Sequence, residues 1–197
     1  MKAVIEVGVN QAQDSFNLIS GHDDCLYYGF EPTYELIEVL SDKFKDHRNM
    51  IIIPMAVDIE NKIANFNIAS WHNGGCSSLH SFSDDIKQTW PENPAYFNKS
   101  QNVLTIRLDD FCKLYNITEI EKLWIDAQGN DFNVLKSLGD YINIVKWGHL
   151  EVAYNVNLYK DVDNSYDSVV KYLTDYGFKL ETKFDNTVSY THLTLPT

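Results

Sequence analysis

Two acids and a glycine stand where short apolar runs end. Ala3-Val4-Ile5-Glu6-Val7 gives way to Gly8-Val9-Asn10, Leu26-Tyr27-Tyr28-Gly29-Phe30 ends in Glu31-Pro32, and Leu123-Trp124-Ile125 ends in Asp126. A buried strand running into a glycine turn, then a second strand ending in an acid, is how a Rossmann-like sheet holds an adenosine ligand. Gly8 lets the turn lie close to the ligand, because without a Cβ it takes backbone angles other residues avoid. Glu31 is placed to accept hydrogen bonds from two ribose hydroxyls. The same window argues against a dinucleotide, whose fingerprint needs three glycines; Gly8-Val9-Asn10-Gln11-Ala12-Gln13 has one. A nucleoside without a diphosphate fits better, and S-adenosylmethionine (SAM) is the common one. The competing reading is a sheet whose first turn happens to carry Gly8, with Glu31 solvated.

The elements that must position these residues alternate between strand and helix patterns. That predicts an α/β fold, a mostly parallel Rossmann-like sheet with helices on both faces. Strands are expected at Ala3–Val7, Leu26–Phe30, Ile51–Val57, Leu123–Ile125 and from Ile144 to Val152, with a sixth starting at Phe178. Helices are expected after Asn10, after Pro32, around Phe111–Tyr115, from Asp131, and through Val169–Leu173 up to Gly177. Pro54 marks the third strand as an edge or a bulge. Lys62–Ala69 alternates as an added strand would, and Val103–Leu108 follows later. Between them, Ser70–Gln101 is aperiodic and holds Gly74-Gly75, Trp71, Trp90, Ser77 and Ser78, as a lid or a surface loop would.

Composition narrows the classes. The chain has 197 residues, enough for one domain with a sizeable core, and its 44% hydrophobic content is that of a globular protein. No apolar run reaches the length of a membrane span, so no membrane partner is expected. Met1-Lys2-Ala3-Val4 enters a strand at once, which leaves no room for a signal peptide. The formal net charge of −12 and the lack of a Lys/Arg cluster argue against nucleic acid as a partner. Cys25, Cys76 and Cys112 are odd in number and far apart, which fits a reducing compartment, the cytoplasm. His72, Cys76 and His80 recur every fourth residue, but Gly74-Gly75 would interrupt a helix between them, and no metal site is expected. Residues 189–197, Ser-Tyr-Thr-His-Leu-Thr-Leu-Pro-Thr, resemble a peptide translated from sequencing-adapter DNA. They are set aside as a non-native tail. The domain is then 1–188, and the last strands of the sheet are expected to be cut off.

Four segments together resemble the FkbM family of SAM-dependent methyltransferases: Glu6–Asn10, Phe30-Glu31-Pro32, Thr105-Ile106-Arg107-Leu108-Asp109-Asp110, and Trp124–Asp131 with Val134-Leu135-Lys136 behind it. The last is the most specific. Family members usually carry Asp at the position of Glu6 and Glu at those of Gln128 and Asp131, so Gln128 removes a charge near the site. The resemblance implies the class I methyltransferase fold, SAM as cofactor, and methyl transfer to a hydroxyl of a sugar, glycan or natural product. It implies a cofactor-binding set of Glu6, Gly8, Val9, Asn10, Glu31, Pro32, Val57, Asp58 and Asp126. Val57 and Asp58 could flank adenine or simply pack the strand end. Asp126 could hold the SAM amino group, orient the acceptor, or cap the next turn. Asp126 and Glu151 are the catalytic candidates, Glu151 as the better acceptor contact than His149. Trp71, His72, Ser77 and Ser78 could line a pocket for a small-molecule or glycan acceptor, or lie in exposed loop. Two other classes compete: a non-catalytic SAM- or nucleoside-binding module, and an NAD-dependent oxidoreductase. Against the latter stand the single glycine and the lack of a well-placed Tyr-x-x-x-Lys pair.

Overall fold

The computed structural model describes residues 1–70, 74–84, 86, 96–154, 157–184 and 189–194. The chain runs β1 (Lys2–Val7), α1 (Ser15–Ile19), β2 (Leu26–Phe30), α2 (Tyr34–Phe44), β3 (Met50–Ile53), β4 (Ala56–Val57), β5 (Ile63–Ala69) and β6 (Phe97–Ile106). It continues with α3 (Leu108–Leu114), β7 (Glu119–Ile125), α4 (Asp131–Lys136), a 3-10 turn (Gly139–Ile144), β8 (Trp147–Val152), α5 (Tyr166–Asp175), β9 (Lys179–Phe184) and β10 (Ser189–Thr194).

Strands buried on both faces read as continuous apolar runs, and β1 and β2 do so because helices cover both sides of their sheet. On one face Ile5, Tyr28, Phe30 and Ile125 pack against Phe111 of α3, Leu135 of α4 and Leu173 of α5. On the other, Val4 and Tyr27 meet Leu18 of α1 and Leu40 and Phe44 of α2. The strand order is β3-β2-β1-β7-β8-β10-β9. From β3 to β8 all neighbours are parallel. The chain moves outward from β1 to β3, then restarts on the other side of β1 at β7. The crevice between the carboxyl ends of β1 and β7 is therefore the topological switch point, where open α/β sheets bind ligands.

Register decides what stands at that crevice. Val7 is level with Phe30 on one side and Ile125 on the other, and Ile125 is level with Leu150. The next residue on each strand falls in one row across the sheet edge: Glu31, Gly8, Asp126, Glu151.

A second sheet, β4-β6-β5, is laid beside the first. Pro54 has the expected effect: β3 is an edge strand that stops at Ile53, and the chain leaves for β4. The strand expected at Lys62–Ala69 is β5. Its partner begins at Phe97, so the aperiodic stretch is shorter than its pattern suggests. Phe97–Gln101 pairs with Phe66–Ala69 while its polar residues face solvent, which hides the strand from a hydrophobic count.

The residues set aside as a tail pair with the sheet. Ser189–Thr194 enters the sheet as β10, antiparallel to both β8 and β9. Tyr190 and the threonines at 191 and 194 are residue types that favour a strand.

Asp109 and Asp110 do not cap α3, whose N-cap position is Arg107. Arg107 instead grips the Asp109 carboxylate through Nε (2.8 Å) and Nη2 (2.5 Å) and donates Nη1 to the Ile59 carbonyl (2.7 Å). This motif ties the chain after β4 to the start of α3.

Glu6 is buried inside β1. It accepts hydrogen bonds from Tyr27 Oη and from Ser15 Oγ (2.7 Å), and faces no cation. Burial pushes its carboxyl up to about 7 from an ordinary 4.5. A raised folded-state value means the stability it contributes is full below about pH 4.5 and is lost as pH rises through about 7. Glu6→Gln keeps an acceptor for these hydroxyls and cannot ionise. Its stability relative to wild type is expected to improve as pH rises from 4.5 to 7, read by denaturant unfolding; a pH-independent difference would contradict this.

Candidate functional site

The turn after β1 is shaped by one contact. Gly8 has φ +90°, and a Cβ on it would lie 1.9 Å from the Asp126 carbonyl oxygen. Glycine is required twice over, for the left-handed backbone and for the approach. Every backbone N–H of the turn is already engaged. Gly8 and Val9 donate to the Phe30 carbonyl (3.0 and 3.2 Å), Asn10 to Glu31 Oε2 (2.8 Å), Gln11 to Gln13 Oε1 (3.2 Å) and Ala12 to the Val9 carbonyl (2.8 Å). The cradle of free N–H groups that a pyrophosphate needs is absent from this turn.

Glu31 is buried, and each of its oxygens takes one backbone N–H: Oε2 from Asn10 and Oε1 from Thr33 (2.7 Å). Burial raises its carboxyl, and these two donors pull it back toward the charged form. The carboxylate is thus fixed in place at the mouth of a small, partly open cavity. Gly8, Asn10, Glu31, Pro32, Val57, Ser77 and Asp126 of the expected site residues line it. Asn10 Oδ1 is buried with no hydrogen-bond partner, an acceptor at the wall of the cavity waiting for a donor.

The loop after β7 carries the other acids. Asp131 is fully buried and accepts from the N–H groups of Ala127 (3.0 Å) and Gly129 (3.1 Å), folding the loop back on itself. Burial, then the Asp126 charge, push Asp131 up to about 7. Burial likewise pushes Asp126 up to about 6. Glu151 is driven well above its ordinary value by burial and then by Asp126 and Asp131. Gln128 Nε2 donates to Asp126 Oδ1 (2.5 Å) and reaches Glu151 Oε2 (3.3 Å), while its Oε1 accepts from Tyr159 Oη (2.8 Å).

Not every expected residue faces the cavity. Glu6 points to Ser15 and Tyr27, Val9 packs toward Gly29, and Glu151 stands behind Gln128. Asp58 accepts from Asn130 Nδ2 (3.3 Å) and pairs with Lys62 (3.2 Å). His149 stacks on Trp124 at 3.8 Å. The segment after β5 does cover the cavity, through Gly74, Gly75, Ser77 and Leu79. Ser77 Oγ donates to the Gly74 carbonyl (2.5 Å), and Ser78 Oγ holds the cover down by donating to the Gln128 carbonyl (2.7 Å). Trp71, His72 and Trp90 lie outside the described residues. His80 Nε2 meets Asn130 Oδ1 (2.9 Å), and among the described residues no group of three or more His, Cys, Asp or Glu is arranged to hold a metal ion. Sequence reasoning missed Thr33, Phe66 and Tyr159. Tyr159 is one of 12 tyrosines and carries no motif, so only packing reveals it.

Comparison with known proteins agrees with the geometry. A family model described as Methyltransferase FkbM domain matches residues 6–180. No curated protein matches. Among solved structures, the chain is similar to a precorrin-6y C5,15-methyltransferase from Geobacter metallireducens GS-15, with TM-score 0.49 and 11% identity over 98% of this chain and 80% of that one. It is also similar to an rRNA methylase from Streptococcus thermophilus, with TM-score 0.47 and 9% identity over 100% of this chain and 87% of that one.

Gly8→Ala tests the contact that shapes the turn. The added methyl must displace the Asp126 backbone and occupy a left-handed conformation, at an expected cost of about 3–5 kcal/mol in denaturant unfolding. A loss below about 1 kcal/mol would mean that the two loops are not in contact.

Proposed function

The chain belongs to the FkbM methyltransferase family, a family of SAM-dependent methyltransferases, and on that premise we propose that it O-methylates a hydroxyl of a sugar, glycan or natural product. The observation that carries this reading is the edge row of Glu31, Gly8 and Asp126 around one cavity. Residues 1–188 are the catalytic domain of this reading.

Bound there, SAM supplies an electrophilic methyl group on a sulfonium. Glu31 would hold the ribose hydroxyls with the lone pairs that Asn10 and Thr33 leave unused, with Pro32 beside them. The orphan Asn10 Oδ1 would accept from the cofactor's ammonium. Val57, with Met55 and Phe66, would supply an apolar wall for adenine. Glu6, Val9 and Asp58 act from behind this wall, by fixing β1, the turn and the end of β4. The committed N–H groups of the turn favour this cofactor over NAD.

The cavity wall carries Glu31 and Asp126 and, among the described residues, no Lys, Arg or His. Such a wall suits a cationic sulfonium and a neutral hydroxyl acceptor, and it opposes phosphate-rich nucleic acid. Asp126 takes the acceptor's proton: the O–H bond breaks, its electrons stay on oxygen, and the proton ends on the Asp126 carboxylate, with Glu151 next to it. Fixing nucleophile and carboxylate in line is the main contribution of such a site. The segment carrying Trp71, His72, Ser77 and Ser78 forms the acceptor side. The three cysteines are free thiols, which suits a cytoplasmic enzyme. Among the described residues no helix is long and apolar enough to cross a membrane.

Calorimetry with SAM, S-adenosylhomocysteine and NAD tests the reading. The two adenosyl ligands are expected to bind and NAD is not. Glu31→Gln cannot accept both N–H groups and both hydroxyls, so S-adenosylhomocysteine affinity should fall about 10- to 100-fold, the loss of one charge-assisted hydrogen bond of about 1.5–3 kcal/mol. NAD binding in place of SAM, or an unchanged affinity in a folded Glu31→Gln, would overturn it.

A further inference from the structure

Asp126 and Glu151 form a carboxyl pair bridged by the Gln128 amide. His149, on the same strand as Glu151, stacks on Trp124, and among the described residues the groups that act most strongly on the pair are neutral or acidic. These are Asp14 before α1, Glu31 at the end of β2, Asp131 at the start of α4, and Cys76 of the cover. Tyr159 packs from the segment before α5, and its own hydroxyl is held neutral. Two full charges on neighbouring carboxyls in a partly buried site are costly, and one shared proton relieves the cost. What matters for chemistry is which carboxyl would carry it.

Gln128 is built to decide that. Carboxylate oxygens only accept, so they draw the amide NH2, and the amide oxygen at the other end then accepts from Tyr159 Oη, the nearer of that hydroxyl's two acceptors (2.8 Å, against 3.3 Å to the Cys76 carbonyl). That turns the NH2 group toward both carboxyls. The two contacts are unequal: 2.5 Å to Asp126 Oδ1 and 3.3 Å to Glu151 Oε2. Hydrogen bonds to a charged acceptor are the short ones. Asp126 lines the cavity and Glu151 does not.

We infer that Gln128, oriented by Tyr159, is a positioning residue that fixes the pair's single negative charge on Asp126, at the cavity face, and leaves the proton on Glu151 behind it. The charge is then where an acceptor hydroxyl arrives, and Glu151 donates its proton to Asp126 as a hydrogen bond without giving it up. The use of this charge rests on the methyl-transfer reading; its location does not.

The test is therefore made on the ligand-free full chain. Side-chain carboxyl carbons are titrated by 13C-detected NMR in wild type, Gln128→Glu and Tyr159→Phe. In wild type Asp126 is expected to ionise first and Glu151 at higher pH. Gln128→Glu replaces two donors by a third acid, so the proton affinity of Asp126 should rise at least tenfold. Tyr159→Phe frees the amide to turn and should raise it in the same direction by a smaller factor. A merely structural role would lower stability and leave the titration of the folded protein unmoved. Glu151 ionising before Asp126 in wild type would overturn the inference. So would Asp126 midpoints within twofold of wild type in the variants, with Tyr159→Phe deciding alone if Gln128→Glu does not fold. Failure of wild type to bind S-adenosylhomocysteine would instead overturn the methyl-transfer reading, with the titration still readable.

Discussion

Gly8 lies against the backbone carbonyl of Asp126, and the space between them has no room for a single methyl group. Two loops from different strands meet there, and the rest of the site follows from how close they come. The ladder between β1 and β7 is carried one step beyond the strands by the Asp126 N–H, which donates to the Val7 carbonyl at 2.9 Å. Having been drawn in at Gly8, the chain leaves the turn through Asn10 at φ +48°. That conformation, uncommon outside glycine and best tolerated by Asn, aims the Asn10 N–H at Glu31. The cavity, the clamped carboxylate and the orphan amide oxygen are consequences of one close approach.

The electrostatics run against stability. Glu6, Glu31, Asp126, Asp131 and Glu151 gather around the carboxyl ends of four strands, and the hydrogen bonds that satisfy them come from backbone N–H groups, hydroxyls and amides. Burying a carboxylate is costly unless donors replace its water, and neutral donors do so only in part. The raised values of Glu6, Asp126 and Asp131 are the measure of what remains uncompensated. A core designed for stability alone would place a cation here or remove the acids. The basic residues are used elsewhere: Lys2 and Lys146 bridge Glu119 and Glu121 at the amino end of β7, and Arg107 braces Asp109.

The parts of the site that were legible in the sequence are those set by strand ends. Gly8, Glu31 and Asp126 each follow an apolar run by one residue, and parallel register then brings them level without further information. Side-chain direction was not legible. Glu6 sits in the same segment as Gly8, yet strand alternation sends it to Ser15 and Tyr27. The Arg107–Asp109 motif reads as chemistry and is a brace, since a bidentate pair two residues apart looks the same in sequence whichever it is. Tyr159 lies 31 positions from Gln128, in a segment with no period, and only folding joins them. The tail that looked foreign still forms β10, because strand formation asks for local propensity, which Tyr190, Thr191 and Thr194 supply, and a neighbour.

The cover and the acids behind it are one piece of structure. Ser78 holds the cover by its bond to the Gln128 carbonyl, and Asn67 and Ser78 exchange backbone hydrogen bonds that tie the same residues to β5. Tyr159 touches the cover through the Cys76 carbonyl at 3.3 Å and orients the Gln128 amide at 2.8 Å. His80 reaches Asn130, whose amide bonds the Val57 carbonyl at the apolar wall. The tie is reinforced at Gly129, where φ is +92° and a Cβ would stand 2.4 Å from the Tyr159 ring. Lifting the cover would therefore break contacts to the loop that positions Asp126, and a displaced Asp126 loop would loosen the cover. The cover and the loop that carries Asp126 are thus joined in one hydrogen-bonded unit, with Gln128 as the residue common to both.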